Sequence, residues 1–185
     1  MTVSPDVDES ERFALAKAAL SQLPHCVVVV GAAADGERSC ATATAMYVSL
    51  APAQIAVALF PGSHTAKLVE RSGELSVSVL TPAQQGVAAA AGRSAPSGQD
   101  KFTALRIPVL DAPAGASAPA VAGSLAVLWC RVVRRIPTGD HVLHVGEVVA
   151  HRTGAAEADA LLRFRRRYLG VGRWTSDESP EGYPV

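Results

Sequence analysis

Two stretches of the chain carry residue types that could hold a ligand. The first runs Ala41-Thr42-Ala43-Thr44-Ala45-Met46-Tyr47-Val48-Ser49-Leu50-Ala51-Pro52. Small side chains let a flat ligand approach the backbone closely. Thr42 and Thr44, one residue apart, can offer hydroxyls and main-chain N–H groups from one extended segment. An alanine-rich strand with surface threonines would have the same pattern. The second stretch is Phe60-Pro61-Gly62-Ser63-His64-Thr65-Ala66-Lys67, a strand end and tight turn leading into a helix start. A helix N-terminus leaves free N–H groups and the positive end of its dipole, which together favour an anion such as a phosphate. Lys67 adds charge nearby. Ordinary N-capping by Ser63 or by His64-Thr65 accounts for the same residues without a ligand.

Other chemistries find no support. There is no GxSxG elbow, no GxxxxGK[ST] phosphate loop, no GxGxxG after the first strand and no HExxH. His141 and His144 are three apart in a β run and point to opposite faces, so they make poor joint metal ligands and no metal site is expected. The run Arg163-Phe164-Arg165-Arg166-Arg167 reads as a solvated face or as a contact to one phosphate-bearing small ligand. Lys+Arg and Asp+Glu number 17 each, so a nucleic-acid surface is not expected. Cys26, Cys40 and Cys130 are scattered without a CxxC pair and read as reduced, buried thiols. No apolar run reaches the ~18 residues of a membrane span, and the polar, acidic start does not resemble a signal peptide. A cytoplasmic protein that does not engage a membrane is the expectation.

The elements that must position these stretches are mostly strands. The 185 residues are 49% hydrophobic and 18% charged, enough for one well-packed domain. That domain is expected over residues 10–174, between a tail at 1–9 and an acidic tail at 175–185. A helix is predicted from about Glu11 to Leu23, capped by Ser10, with Phe13, Ala16, Leu20 and Leu23 near one face. His25 to Ala34 is a β run ending at an Asp35-Gly36 hairpin turn. Glu37 to Leu50 is its return strand, and Gln54 to Phe60 is a third. A helix from about Thr65 to Arg71 stops at Gly73. Leu75 to Leu80 alternates strictly, and Thr81-Pro82 opens another helix. The segments at Ala91 to Asp100 and Asp111 to Pro119 read as loops. Val121 to Ile136 and His141 to His151 are two long strands around a Pro137-Thr138-Gly139-Asp140 turn. Six or seven strands with short helices and hairpin-length turns make a mainly antiparallel sheet, which a closed or split barrel would protect at its edges.

In this order the segments resemble the flavin reductase-like family, whose fold is the FMN-binding split β-barrel. The resemblance spans roughly Leu20 to Leu169. It is carried by the DG turn, by ATATAMYVSLAP in place of the family's small-residue segment ending S-V-S-L-x-P-P, and by IAVALF followed by the SHT helix start. It continues through SGELSVSVL, Gln84-Gln85, Asp100-Lys101-Phe102 for the family's D-K-F and Pro108-Val109-Leu110 for its P-V-L. Gly139-Asp140-His141 stands for its G-D-H, and Val145-Gly146-Glu147-Val148 follows. This chain departs in having one residue fewer before V-S-L, Ala53 for the second proline, and Cys40-Ala41 for G-M or G-F.

The resemblance implies roles position by position. Thr42, Ala43 and Thr44 would face the flavin, with Thr44 near the ribityl-phosphate. Val48 and Ser49 would lie along the isoalloxazine. Ser63, His64, Thr65 and Lys67 would hold the phosphate. Phe102 would reach the ring edge from a covering loop. His141 would lie on the nicotinamide side, and Tyr168 would approach from the C-terminal element. The implied activity is hydride transfer from NADH or NADPH to FMN or FAD by a homodimer, with reduced flavin passed to a partner monooxygenase. A flavin-binding protein without turnover, and a same-fold oxidase with tightly held FMN, are the other readings.

Overall fold

The computed structural model describes residues 8–94, 99–154 and 158–171, so the expected tail at 175–185 lies outside the described residues, as does most of the tail at 1–9. The first helix, α1, spans Glu9–Leu20. Its cap is Asp8 rather than Ser10: the Asp8 carboxylate accepts the Glu11 N–H at 2.9 Å, and Glu9 and Glu11 add negative charge to the first turn. None of its residues is buried, so the apolar positions of α1 face away from this chain's own core.

Strands follow as β1 (His25–Cys26), β2 (Val28–Ala34), β3 (Glu37–Ala43), β4 (Ala45–Leu50) and β5 (Ala53–Leu59). Asp35 (φ 52) and Gly36 (φ 80) both take left-handed backbone between β2 and β3, the conformation a two-residue hairpin demands and a DG pair supplies. Helix α2 (His64–Ser72) ends at Gly73, whose φ of 70 closes it. Then come β6 (Glu74–Val79), a single 3-10 turn at Pro82–Gln84, α3 (Gln85–Ala91), α4 (Lys101–Ala104), β7 (Val109–Leu110) and β8 (Ala120–Val121). The long hairpin is β9 (Ala126–Thr138) and β10 (His141–Thr153), and a short one, β11 (Leu161–Phe164) and β12 (Arg167–Gly170), is the last element among the described residues.

Seven strands form one antiparallel sheet in the order β3-β2-β6-β9-β10-β5-β4. The expected return strand from Glu37 to Leu50 is therefore two strands on opposite edges. Only Thr44 separates Ala43 at one edge from Ala45 at the other. Edges joined by one residue must lie side by side, so the sheet curls into a barrel. No strand ladder joins β3 to β4, and the barrel is split there. A second sheet, β1-β11-β12, lies against the split, where the Cys26 thiol donates to the Ala45 carbonyl.

Packing explains the valine run. Val28 and Val30 belong to a core shared with Val57, Leu68 and Val69, whereas Val27 and Val29 belong to another with Leu80, Phe102, Ile107 and Leu161. A strand buried on both faces is apolar throughout. The alternating β6 is likewise enclosed on both faces: the Ser76 hydroxyl donates to the Pro119 carbonyl at 2.6 Å, and the Ser78 hydroxyl accepts the Val121 N–H at 3.0 Å. β9 runs on past the expected stop at Pro137. The β6 partner of β9 ends at Arg131, so Pro137 is flanked by β10 alone and its missing N–H is tolerated. His144 is buried within the barrel wall. Its Nε2 has no partner among the described residues, and burial lowers its pKa and keeps the ring neutral.

Candidate functional site

Two clefts meet at Thr42. The larger, about 560 Å³, lies between β3, the turn into α2, and the C-terminal end of α3. The smaller, about 240 Å³, lies between Thr42-Ala43-Thr44, Ala58 of β5, His141 of β10 and the row His25, Arg163 and Tyr168.

The wall of the larger cleft is built by the strand–turn–helix unit. Pro61-Gly62 turns the chain, and Ser63 caps α2 by accepting the Ala66 N–H at 3.1 Å. Thr65 is buried, and its hydroxyl shares a 3.0 Å hydrogen bond with Ser39 of β3. His64 Nε2 stands 3.1 Å from a Glu37 carboxylate oxygen, which also accepts from Arg71 at 3.1 Å. Thr42 is held by donation from its hydroxyl to the Ala88 carbonyl, which fixes β3 against α3. Lys67 and Arg93 also line the cleft.

The deepest cation among the described residues is Lys101, the first residue of α4. It is only 9% exposed, and its ammonium donates to the Ala91 carbonyl at 2.7 Å. Asp100 is turned away from it. One oxygen of that carboxylate caps α4 through the Phe102 N–H at 3.0 Å, and the other takes Arg38 Nε at 3.1 Å and the Thr103 hydroxyl at 2.9 Å. These hydrogen bonds outweigh the cost of its partial burial and hold Asp100 below its ordinary pKa.

In the smaller cleft the register does the positioning. His25 pairs with Arg163, and Arg163 pairs with Tyr168, so the three side chains stand in one row on one face. The Arg163 guanidinium lies 5.9 Å from the Tyr168 ring centroid. Across the cleft, His141 Nδ1 is 2.8 Å from an Asp140 carboxylate oxygen, and the Phe60 ring meets the imidazole edge-on at 6.3 Å. That hydrogen bond lowers the Asp140 pKa and keeps the carboxylate ionised. An ionised carboxylate only accepts, so Nδ1 carries the hydrogen and Nε2 is left for a ligand.

Among known proteins, the flavin reductase like domain matches residues 20–172 of the chain. The chain belongs to this family. It is 32% identical over 154 residues to the NADH:riboflavin 5'-phosphate oxidoreductase of Streptomyces pristinaespiralis, covering 81% of this chain and 83% of that one. It is 31% identical over 153 residues to the reductase component of 4-hydroxyphenylacetate 3-monooxygenase of Thermus thermophilus, covering 82% and 92%. Among solved structures, nitrilotriacetate monooxygenase component B from Mycobacterium thermoresistibile superposes with a TM-score of 0.83 at 24% identity, over 96% of this chain and 98% of that one. The flavin reductase component of a bacterial two-component tryptophan halogenase gives 0.77 at 27% identity, over 88% and 99%.

Within this family member, the fold brings most of the expected residues to the two clefts. Thr42, Ser63, His64, Thr65 and Lys67 line the larger one; Thr42, Ala43, Thr44, His141 and Tyr168 line the smaller. Val48 and Ser49 line neither. They sit on the edge strand β4, where the register slips between Tyr47 and Ser49 and Val48 is exposed. Phe102 is also displaced from the expected role. Its ring is fully buried beside Val29, Cys40 and Leu80, because the Asp100 cap directs the first turn of α4 into the core. The residue of that motif lining the cleft is Lys101. His25 and Arg163 were not singled out individually, since only strand register places them opposite His141.

Proposed function

We propose that the protein is an NADH-dependent flavin reductase that reduces FMN and passes the reduced flavin to a partner monooxygenase. The observation that carries this reading is the pair of clefts sharing Thr42, one with an anion-binding end and the other holding an oriented histidine beside small residues. The donor set fits FMN. The α2 N-terminus offers free main-chain N–H groups, Lys67 and Lys101 offer positive charge, and Ala41, Ala43 and Ala58 leave room for a flat ring. When bound, FMN supplies the two-electron chemistry by accepting a hydride from the dihydronicotinamide.

The residues of this chain bind and orient. Ser63, His64, Thr65 and Lys67 hold the phosphate end, and Thr42, Ala43 and Thr44 back the ring. His141, with Nε2 free, and Tyr168 face the nicotinamide side. Hydride transfer between stacked rings needs no general acid, so the Asp140–His141 pair serves to position the dinucleotide. NADH and FMN are favoured by relatives named as NADH:riboflavin 5'-phosphate oxidoreductase and NADH-dependent FMN reductase. A monooxygenase partner is favoured by the relative named as the reductase component of 4-hydroxyphenylacetate 3-monooxygenase.

The working unit is a homodimer. Met46, Tyr47, Val48 and Leu50 of the edge strand β4 are exposed, as are Phe13, Leu15 and Leu20 of α1. A twelve-residue helix with no buried residue is marginal alone in water, and an apolar edge strand invites pairing. A second copy of the chain covers both.

The test is to mix the protein with FMN and NADH in air and follow the nicotinamide absorbance band. Catalytic loss of the band, dependent on added FMN, is expected. FMN binding without loss of NADH would identify a flavin-binding protein without turnover and overturn the reading.

A further inference from the structure

We infer that Arg163 anchors the 5′-phosphate on the nicotinamide half of the reductant, so that the smaller cleft selects a phosphorylated dihydronicotinamide nucleoside over the unphosphorylated one. This role for Arg163 rests on the flavin reductase reading and concerns the reductant, not the flavin.

Arg163 is a half-buried cation without an anion. It stands on β11 between its register partners, His25 of β1 on one side and Tyr168 of β12 on the other. Its guanidinium lies 5.9 Å from the Tyr168 ring centroid, a contact that keeps the charge at the cleft wall. No hydrogen bond or ion pair engages its five side-chain donors among the described residues. Other arginines near the clefts are already paired: Arg38 with Asp100, Arg71 with Asp35 and Glu37, and Arg165 with the Gln22 side chain. The His25 ring is committed on one side, where Nδ1 donates to the Leu23 carbonyl at 3.0 Å. No carboxylate lines the smaller cleft among the described residues, and Asp140 is engaged by His141.

A planar guanidinium bonds two phosphate oxygens at once, and partial burial strengthens that attraction by thinning the water around it. Which phosphate it meets follows from the size of the cleft. Arg163 and His141 line the same space of about 240 Å³. That is below the roughly 300–1,000 Å³ of sites that enclose a drug-sized ligand, so the cleft takes one part of a dinucleotide. With the nicotinamide ring at His141, the part that shares the cleft is the ring's own ribose and its 5′-phosphate. The 2′-phosphate that separates NADPH from NADH belongs to the adenosine half. The turn of the same hairpin carries Arg165 and Arg166, neither of which lines the cleft. A general attraction for anions can therefore be told apart from a contact at Arg163.

The test compares dihydronicotinamide riboside with its 5′-phosphate, and NADH with NADPH, as hydride donors at saturating FMN in wild type, Arg163→Gln, Arg163→Lys and Arg166→Asn. Wild type should prefer the phosphorylated nucleoside by roughly tenfold or more in kcat/KM, as expected for a charged hydrogen bond. Arg163→Gln should abolish that preference, change the unphosphorylated riboside by less than about twofold, and weaken NADH and NADPH by the same factor. Arg163→Lys should keep part of the preference and Arg166→Asn all of it. Equal loss of the riboside and its phosphate would make Arg163 a packing partner of Tyr168 and overturn the assignment. So would a loss confined to NADPH, which would put the 2′-phosphate at Arg163, or an equal loss in Arg166→Asn, which would reduce the effect to long-range attraction. Wild type that uses NADH but does not prefer the phosphorylated nucleoside, or uses neither nucleoside, overturns it as well. Failure of the flavin reductase reading itself is seen separately, as wild type that consumes no NADH with FMN.

Discussion

His141 shows how a residue becomes a candidate through its surroundings. Asp140 holds Nδ1 at 2.8 Å and the Phe60 ring meets the imidazole edge-on, so the ring is oriented on the wall of the smaller cleft. His141→Ala should lower kcat/KM for NADH about tenfold, equivalent to ~1.4 kcal/mol of transition-state stabilisation, with FMN affinity nearly intact. Joint loss of FMN affinity and thermal stability, with unchanged reduction per bound flavin, would make the imidazole a turn residue only. The turn into α2 was legible because a strand end, a Pro-Gly pair and a capping serine are local signals. Lys101 was harder to read. Its neighbour Phe102 is the more conspicuous side chain, and only the direction of the Asp100 cap sends one into the core and the other to the cleft.

Elements with local signals were legible, and those fixed by distant contacts were not. The DG turn, the Ser63 cap and Gly73 mark their boundaries in the sequence. The β11–β12 hairpin carries no such mark. Its turn is made by Arg165 (φ 48) and Arg166 (φ 64), residues that rarely adopt left-handed backbone and here replace the usual Asn-Gly. The turn is held from outside: the Arg165 N–H donates to the Ser21 carbonyl at 2.9 Å, and its Nε donates to the Gln22 side chain at 2.9 Å. At Gly31 of β2 the requirement is for space. A Cβ there would overlap the Pro119 carbonyl oxygen and stand 2.7 Å from the Ser76 hydroxyl. Gly31→Ala should destabilise the protein by about 1–3 kcal/mol, read as a lower denaturant midpoint. An unchanged midpoint would mean that the Pro119 segment gives way freely.

For the whole molecule, the antiparallel barrel was legible from alternation and turns, whereas the division of Glu37 to Leu50 between two edges was not, since Thr44 carries no turn signal. The exposed apolar face of β4 bears on assembly. Light scattering at micromolar concentration should give twice the 19.1 kDa chain mass, and replacing Met46 and Leu50 together by Glu should give a monomer; a wild-type monomer would refute the proposed dimer. Thr44 also limits how a ligand can reach the clefts. Two residues of fully extended chain span roughly 7 Å, so Ala43 and Ala45 stay within that distance in every folded conformation. The split is therefore pinned at the Thr44 end, however many hydrogen bonds nearby are broken. A ligand seated at Thr42 next to that pinned end lies between α3 on the side of the larger cleft and β11–β12 on the side of the smaller one, so its walls there come from outside the seven-stranded sheet.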